Sequence, residues 1–353
     1  MKNIRNHLIY QNTTLTEAVK QLEILKSNAI LFVVDDQQKL IGSLTDGDIR
    51  RAILGGKSLN IEVKDCIQDK PAFIRKGNIN LEKIIYWRNR QFKIIPIVDN
   101  EMKIVDVLNF SEKRSLIPVD CVIMAGGKGE RLKPLTENKP KPLLPVGEKP
   151  IIEHGINHYV YYGIENIHVT TNYLSEQVDT FIASKKSDEI NLKGIQETKF
   201  MGTIGAIKLI SDFHHDVILV SNSDLLTNVD IEQFYLSFVQ NSSDCAILSV
   251  PFKIEVPYGV LEVDNETLTR IDEKPTYTYN TNGGMYLIKK ELLNLIPNDT
   301  TFSAVEFIEL LMKKNKKITL FKHYGYWLDI GNHNDYMRAQ YDIDYVYNKK
   351  LGN

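Results

Sequence analysis

The stretch "VIMAGGKGERLKPLTENKPKPLLPVG", residues 122–147, runs from an apolar segment into a glycine-rich turn and then into cations and prolines. The apolar segment has the composition of a buried strand. Glycines leave the backbone of the turn bare, so its N–H groups can approach a ligand and form an anion-binding nest. The arginine and lysines that follow supply charge for phosphate oxygens. The stretch therefore predicts a strand that ends at a site for a strongly anionic ligand.

Two well-known phosphate-binding loops do not fit this turn. A P-loop needs Gly-Lys and then Ser or Thr at its end, but here Gly129 is followed by Glu130 and Arg131. A dinucleotide-binding turn needs a third glycine at the position where this chain has Leu132. What remains is a glycine turn backed by the cationic side chains of Arg131 and Lys141.

The chain from about residue 119 onward alternates apolar strands with helices. "AGGKGERL", residues 125–132, follows one such strand, and "SNSDLL", residues 221–226, follows another. Continuous apolar strands between helices are typical of an α/β fold with a mostly parallel sheet and helices on both faces. Ligands of such sheets bind beyond the carboxyl ends of the strands, so both segments are expected at one site. "GTIGAIKLI", residues 202–210, is expected to form a helix.

The first part of the chain has a different pattern. A helix, a strand, a polar turn and a second strand occur in this order twice, in residues 14–54 and 80–114. Repeats of this size usually pack against each other. The polar segment "SEKRSLIP", residues 111–118, is the expected joint. The sequence thus predicts an α+β module of residues 1–115 followed by a second domain of residues 119–353.

The glycine turn closely resembles the signature of the sugar-1-phosphate nucleotidyltransferases, the nucleoside-diphosphate-sugar pyrophosphorylases. The matching segments are "GGKGERLKPLT" at 126–136, "PKPLLPVG" at 140–147, "FMGTIGAI" at 200–207 and "WLDIG" at 327–331. The resemblance extends from about residue 119 to near the C-terminus. It implies a Rossmann-like nucleotidyltransferase sheet. It also implies an enzyme that joins a nucleoside triphosphate to a sugar 1-phosphate, releases pyrophosphate and uses Mg²⁺ as its cofactor.

The resemblance also implies roles for individual residues. Arg131 would hold the leaving pyrophosphate, and Lys141 would neutralise the reacting phosphates. Asp224 and Asp329 would hold the metal ion between them. The implied nucleotide-binding residues are Gly126, Gly127, Gly129, Glu197, Gly202 and Thr203. The implied sugar-phosphate-binding residues are Gly259, Glu273, Lys274, Asn282 and Gly284. The family usually has Asn-Gly-Asp where this chain has Asn222, Ser223 and Asp224, which leaves the close backbone approach of that loop open.

The base is expected to be guanine. Glu197 stands five residues before Gly202, where relatives that use UTP or dTTP tend to carry Gln and those resembling mannose-1-phosphate guanylyltransferases tend to carry Glu. A carboxylate accepts two bonds side by side from the adjacent donors of guanine, whereas the oxygens of uracil would repel it. Strand alternation allows only one of Gln196 and Glu197 to face the pocket. A reading by Gln196 would instead favour uridylyl or thymidylyl transfer to glucose 1-phosphate.

The sugar stays open. Chains that join an N-terminal module of this kind to a nucleotidyltransferase domain resemble guanylyltransferases of surface-glycan and nonulosonate pathways. The candidate sugar substrates are therefore mannose, heptose and glucosamine 1-phosphate.

The N-terminal module resembles a tandem of cystathionine-beta-synthase-type (CBS) domains. The resemblance rests on "GSLTDGDIRRAI", residues 42–53, and on the repeat order. It implies that Thr45 and Asp48 hold the ribose of an adenine nucleotide. The second copy departs from the pattern at the corresponding positions, Asp106, Asn109 and Glu112. At most one nucleotide site is therefore implied, and a module that only dimerises is the alternative. A third hypothesis is a nucleotide sensor with an inactive transferase body.

Composition excludes several classes of function. The chain of 353 residues has 43 Lys and Arg against 45 Asp and Glu, so the net charge of −2 provides no global cationic field for nucleic acid. The sequence contains no apolar run long enough to span a membrane and no signal-peptide core. Its three cysteines have no metal-binding or redox spacing. We therefore expect a cytoplasmic homo-oligomer that binds neither nucleic acid nor membrane.

Overall fold

The computed structural model of the chain describes residues 4–185, 187 and 190–348. The fold divides into two compact units, Met1–Leu116 and Ile117–Asn353, which are called the N-terminal unit and the C-terminal unit below. No helix in the described residues is long and apolar enough to cross a membrane.

The N-terminal unit contains two copies of one small motif. The elements of the first copy are β1 (Leu8–Tyr10), α1 (Leu15–Leu25), β2 (Ile30–Val34), β3 (Leu40–Thr45) and α2 (Asp46–Leu54). Those of the second are β4 (Ile74–Arg75), α3 (Leu81–Asn89), β5 (Ile94–Val98) and β6 (Ile104–Asn109). In each copy the first strand pairs parallel with the second, and the second pairs antiparallel with the third. The shared topology agrees with the internal repeat expected from the sequence.

The helices of the N-terminal unit begin at side-chain caps that the sequence supplies. Thr14 accepts a hydrogen bond from the backbone N–H of Glu17, whose carboxylate accepts one from the N–H of Thr14, so α1 begins with a capping box. Asn80 caps α3 in the simpler way, through the N–H of Lys83. Each copy buries its own apolar cluster between helix and sheet.

The C-terminal unit is built around a seven-stranded sheet with the order β11-β10-β7-β12-β17-β14-β18. The elements of its first half are β7 (Asp120–Met124), β8 (Pro145–Val146), β9 (Lys149–Pro150), α4 (Ile151–Tyr161), β10 (Asn166–Thr171), α5 (Ser175–Lys185), β11 (Asn191–Gln196), β12 (Val217–Asn222) and β13 (Leu225–Thr227). The second half consists of α6 (Ile231–Gln240), β14 (Cys245–Glu255), β15 (Val260–Asp264), β16 (Thr267–Asp272), β17 (Thr276–Lys289), α7 (Ala304–Lys313), β18 (Ile318–Lys322), β19 (Trp327–Asp329) and α8 (His333–Asn348). Within the large sheet only the two pairings of β17 are antiparallel. The predicted α/β fold with a mostly parallel sheet is confirmed.

Two apolar clusters cover the two faces of the large sheet. Strand β7 contributes Cys121 and Ile123 to one cluster and Val122 to the other, because successive side chains of a strand point to opposite faces. Helices α4, α5 and α6 pack on the first face, and α7 packs on the second. A strand buried on both sides needs an unbroken apolar run, which explains why β7 was recognisable in the sequence.

The helix expected at residues 202–210 is wrong. The segment forms only a short 3-10 helix, Gly205–Leu209. The N–H groups of Ile204 and Gly205 both bond to the carbonyl of Phe302, at 3.2 Å each, instead of continuing a helical ladder. A tertiary contact with a distant segment therefore overrides the local helical pattern.

Candidate active site

The glycine turn that follows β7 has a backbone conformation at residue 129 that favours glycine. Gly129 has φ = +65°, and a Cβ atom there would lie 3.0 Å from both Cβ of Lys141 and Cγ2 of Thr136. The hydroxyl of Thr136 donates a hydrogen bond of 2.9 Å to the carbonyl of Gly129. The turn is thereby closed onto the segment that carries Lys141, so bare backbone and a cation lie side by side.

Glu197 lies beneath the start of the same turn. A Cβ atom on Gly126 would approach Oε1 of Glu197 to 2.5 Å, so the carboxylate occupies the space that a side chain at 126 would need. Oε2 accepts a hydrogen bond from the N–H of Met201, whereas Oε1 is buried without a partner among the described residues. Burial raises the pKa of Glu197, against the opposing effects of the Met201 N–H and of the nearby Thr170 hydroxyl, which makes no well-formed hydrogen bond to Oε1. A buried carboxylate oxygen without a donor is unusual and suggests a partner supplied from outside the chain.

Asp224 and Asp329 are brought together by a small antiparallel pairing. Strand β13 pairs with β19 so that Leu225 stands opposite Asp329, and the N–H of Ile330 donates to the carbonyl of Asp224 at 3.0 Å. Nζ of Lys141 forms an ion pair with Oδ2 of Asp224. Burial and the neighbouring Asp224 carboxylate raise the pKa of Asp329 to about 6. Two acidic groups and one cation thus share a half-buried place at the end of β12.

These two carboxylates fit the ligand chemistry of a hard divalent cation. Oδ1 of Asp224 and Oδ1 of Asp329 are both buried without a hydrogen-bond partner in the described residues. No group of three or more His, Cys, Asp or Glu side chains in that part of the chain could hold a metal ion by itself. Mg²⁺ is commonly held by one or two carboxylates together with waters and substrate phosphates, so a pair is sufficient.

Arg131 lies beside Gly331, two residues after Asp329 in the chain. A Cβ atom on Gly331 would be 3.5 Å from a terminal nitrogen of Arg131, so the guanidinium lies against the backbone just after β19. Its charge contributes to lowering the pKa of Asp329, although burial and Asp224 outweigh it. Arg131 is largely exposed and can turn its planar fork toward an anion.

These residues surround a cleft of about 260 Å³ at the carboxyl ends of β7 and β12. The predicted residues that line it are Gly126, Gly127, Gly129, Arg131, Lys141, Gly202, Thr203 and Asp224. Glu197 and Asp329 do not line it directly, but each contacts a residue that does. The position agrees with the general rule for ligands of parallel sheets.

Gly202 and Thr203 fix one wall of the cleft to helix α7. Gly202 has φ = +79°, and a Cβ atom there would approach the carbonyl oxygen of Phe302 to 2.5 Å. The hydroxyl of Thr203 accepts a hydrogen bond of 2.8 Å from the N–H of Ala304, the first residue of α7. Both residues therefore hold the wall in place as well as lining the cleft.

The predicted sugar-phosphate residues fall into two groups that no described contact joins. Gly259, Glu273 and Lys274 lie at the β15–β16 hairpin, and none of the three lines the cleft. A Cβ atom on Gly259 would be 3.1 Å from Oε2 of Glu273, so these two are neighbours.

The second group, Asn282 and Gly284, adjoins the cleft. The side-chain oxygen of Asn282 accepts a bond of 3.0 Å from the N–H of Gly284. A Cβ atom on Gly284 would meet Nδ2 of the cleft residue Asn222 at 2.7 Å. Of the predicted sugar-phosphate residues, these two are therefore next to the cleft in the described part of the chain.

Several cleft residues were not predicted from the sequence. Phe200 and Gly331 line the cleft, as does Asn222 at the end of β12. Each lies inside a segment whose sequence was matched to the family, Phe200 in residues 200–207, Asn222 in residues 222–224 and Gly331 in residues 327–331, but no role was assigned to it. Membership of a matched segment was the signal that could have found them.

Thr45 and Asp48 lie in the N-terminal unit and are bonded to each other at the start of α2. Asp48 Oδ2 accepts bonds from the N–H and the hydroxyl of Thr45 at 2.8 and 2.7 Å. Its Oδ1 accepts from Arg51 at 2.5 Å and from Gln68 at 3.1 Å. Burial opposes ionisation, but these hydrogen bonds together lower the pKa of Asp48. In the second copy Asn109 similarly donates to Glu112, at 2.9 Å.

Comparisons with known proteins identify the families of both units. A family model described as nucleotidyl transferase matches residues 120–345, and one described as CBS domain matches residues 5–55. The bifunctional protein GlmU of Methanocaldococcus jannaschii is 30% identical over 65% of this chain and 55% of its own length. The mannose-1-phosphate guanylyltransferase of Mycobacterium tuberculosis is 27% identical over 64% of each chain.

A solved structure supports the fold. HddC from Yersinia pseudotuberculosis is 27% identical and superposes with a TM-score of 0.50, over 64% of this chain and 99% of that one. The chain spans only 55% to 64% of the length of the two curated relatives named above. The match over residues 120–345 is nevertheless more than half of this chain, which therefore belongs to the nucleotidyl transferase family and carries a CBS domain ahead of its transferase domain.

Proposed function

We propose that the chain transfers a nucleotidyl group from a nucleoside triphosphate to a sugar 1-phosphate, giving a nucleoside-diphosphate sugar and pyrophosphate. The observation that carries the proposal is the pair of buried carboxylate oxygens without hydrogen-bond partners on Asp224 and Asp329, of which Asp224 lines the cleft together with Lys141 and glycine backbone. Two polyanions must meet in this reaction, so catalysis consists chiefly of positioning them and neutralising their charge. The cleft offers the groups that such a task needs.

The chemistry is an in-line displacement without a covalent protein intermediate. An oxygen of the sugar phosphate attacks the α-phosphorus, that P–O bond forms, and the bond from the α-phosphorus to the bridging oxygen of pyrophosphate breaks. Arg131 would hold the leaving pyrophosphate with its planar fork of donors. Lys141 would neutralise the reacting phosphates once their oxygens compete with Asp224 for its ammonium group.

Asp224 and Asp329 would hold Mg²⁺. When bound there, the ion would supply positive charge to the phosphate oxygens and support the leaving group. Asp329 must lose its proton first, because only the carboxylate form can bind a cation. Its pKa is raised because Asp329 is buried and lies beside a second acidic group, Asp224. The charges of Lys141 and Arg131 oppose this effect but do not cancel it.

GTP is the proposed nucleotide. Glu197 lies beneath the glycine turn against Gly126, with one carboxylate oxygen that has no donor among the described residues. Gln196 is exposed, and its amide donates to the hydroxyl of Ser175 at 3.2 Å. The position of the carboxylate supports guanine, whose Watson–Crick edge presents two adjacent donors. The name of the mycobacterial relative, a mannose-1-phosphate guanylyltransferase, supports the same base.

The proposed acceptor is mannose, heptose or glucosamine 1-phosphate, for the synthesis of a surface-glycan precursor. Asn282 and Gly284, next to the cleft residue Asn222, are the proposed contacts to the sugar. Glu273 and Lys274 with Gly259 stay predicted sugar-phosphate residues, and they require the β15–β16 hairpin to approach the bound substrate.

The N-terminal unit is proposed to regulate or dimerise the enzyme in a cytoplasmic homo-oligomer. An adenine nucleotide at Thr45 and Asp48 would have to replace the hydrogen bonds that Asp48 accepts from Arg51 and Gln68. The free state of Cys66, Cys121 and Cys245 is compatible with a reducing compartment.

The test is pyrophosphate release by the full chain with each nucleoside triphosphate and a panel of sugar 1-phosphates, with and without Mg²⁺. We expect the fastest turnover with GTP and none after chelation. Asp224→Asn should abolish turnover. Asp216→Asn, at an aspartate whose side chain is 98% exposed, is the matched control and should leave it unchanged. Turnover about tenfold faster with UTP or dTTP than with GTP would refute the role of Glu197.

A further inference from the structure

The residues around the cleft form two chemically different groups. In one, Lys141 pairs with Asp224, and Arg131 lies against Gly331. The second group contains Gly126, which sits on Glu197, and the segment that follows Glu197 in the chain. Phosphates of a nucleotide belong in the first group, because the cations and the proposed metal ligands are there. The base, which carries no charge, is therefore left to the second.

Phe200 belongs to the second group. It lines the cleft although 50% of its surface is exposed, and it is the single aromatic residue among the cleft-lining residues within the described ranges. The Phe200 side chain is not part of any described core cluster. An aromatic ring that is left half in water at the wall of a ligand cleft is a candidate contact surface for that ligand.

Hydrogen bonds hold the backbone of Phe200 at its carbonyl and at the next residue, Met201. The hydroxyl of Thr301 donates to the carbonyl of Phe200 at 3.1 Å. The N–H of Met201 donates to Glu197 at 2.9 Å, and the carbonyl of Met201 accepts from the N–H of Phe302 at 3.0 Å. The ring therefore projects from a braced turn, and little backbone freedom is lost when a ligand packs on it.

We propose that Phe200 is the stacking platform for the nucleotide base, with Glu197 at the edge of the same subsite. Stacking on an aromatic side chain is available to every base, because each has a π-face, and it does not depend on hydrogen bonds. Phe200 thus contributes affinity for the base as a plane, whereas Glu197 contributes the choice of edge. This inference rests on the proposed function, since it takes a nucleoside triphosphate as the ligand of the cleft.

The proposal predicts that a change at Phe200 affects the affinity for a ligand that has a base but not for one that lacks it. Isothermal titration of the full chain with GTP and with inorganic tripolyphosphate, both with Mg²⁺ and without sugar phosphate, measures the two separately. Phe200→Leu keeps an apolar side chain but removes the π-face. We expect it to weaken GTP binding by about 5- to 100-fold and to change tripolyphosphate binding by less than about twofold. Phe200→Trp should bind GTP at least as tightly as the unchanged protein.

Phe252→Leu is the matched control. Phe252 is 55% exposed on β14 and does not line the cleft, so the same substitution there should leave both affinities unchanged. Phe200→Ala gives the same comparison should the leucine variant fail to fold. An unaltered affinity for GTP in the Phe200 variants overturns the proposal, and so does an equal loss for both ligands. If the unchanged protein binds neither ligand, the proposed nucleotidyl transfer is refuted together with the role of Phe200. If it binds both ligands but the Phe200 variants behave like it, only the role of Phe200 is refuted.

Discussion

The acidic pair at the cleft predicts a protein that becomes more stable when one of its own site residues loses its charge. Burial and the neighbouring carboxylate of Asp224 raise the pKa of Asp329 from 3.8 to about 6. A group whose pKa is higher in the folded state than in the unfolded state favours folding when it is protonated. That contribution is fully present below about pH 4 and is lost as the pH rises through about 6. Asp329→Asn, which cannot ionise, should keep it at every pH.

The expected size follows from the shift. Each pKa unit corresponds to about 1.4 kcal/mol, so the full shift of Asp329 would amount to about 3 kcal/mol. The cleft is open to water, which screens charges, and we expect about half of that value. Asp329→Asn should therefore be as stable as the unchanged protein near pH 4 and more stable by about 1 to 2 kcal/mol at pH 7.5, in buffer with a chelator.

The assay is urea denaturation followed by tryptophan fluorescence. The chain has two tryptophans, Trp87 in the N-terminal unit and Trp327 in the C-terminal unit. Trp327 begins β19, two residues before Asp329, and its indole N–H donates to the carbonyl of Gly283 at 3.0 Å. In a Trp87→Phe background the fluorescence change therefore reports unfolding around the acidic pair. The free energy of unfolding is measured at several pH values from 4 to 8.

The decisive quantity is the difference in unfolding free energy between Asp329→Asn and the unchanged protein. If that difference stays constant from pH 4 to pH 8, the pKa of Asp329 is not raised in the folded protein. The reasoning from its burial and from the neighbouring Asp224 is then refuted. Asp335→Asn at the start of α8, where Asp335 is half-buried and accepts a hydrogen bond from Asn332, is the control and should show no such growth with pH.

Three further predictions concern single substitutions. Gly202→Ala places a Cβ atom against the carbonyl of Phe302 at a positive φ and should destabilise the C-terminal unit by about 2 to 4 kcal/mol in urea denaturation, whereas Gly127→Ala, with open space around it, should be nearly neutral. Glu197→Gln should lower the ratio of kcat/KM for GTP to that for UTP, and an unchanged ratio argues against Glu197 as the reader of the base. Asp48→Ala removes the capping box of α2 and should lower the unfolding free energy of the N-terminal unit by about 1 to 3 kcal/mol in calorimetry; no loss would contradict its structural role.

The parts of the fold that could be predicted are those with local signals. Strand β7 is an unbroken apolar run before a glycine turn, and Thr14 with Glu17 is a recognisable capping box. The helix expected at 202–210 failed because its N–H groups bond to Phe302, which no local pattern reveals.

The candidate site shows the same division. The positions of Arg131, Lys141 and Asp224 around one cleft were expected from motifs, and their roles stay predictions. Phe200 lines the cleft on a segment whose carbonyl is bonded to the distant Thr301, so the exposure of its ring could not be derived from composition or spacing.

The pairing of β13 with β19 has a consequence for the order in which the protein can mature. Asp224 and Asp329 are joined by two strands far apart in the chain, and β19 is synthesised long after β13. A ribosome that has finished the glycine turn and even most of the large sheet has still not made the acidic pair. A nascent chain therefore lacks the proposed magnesium site until β19 has been synthesised, and we expect no turnover before that point.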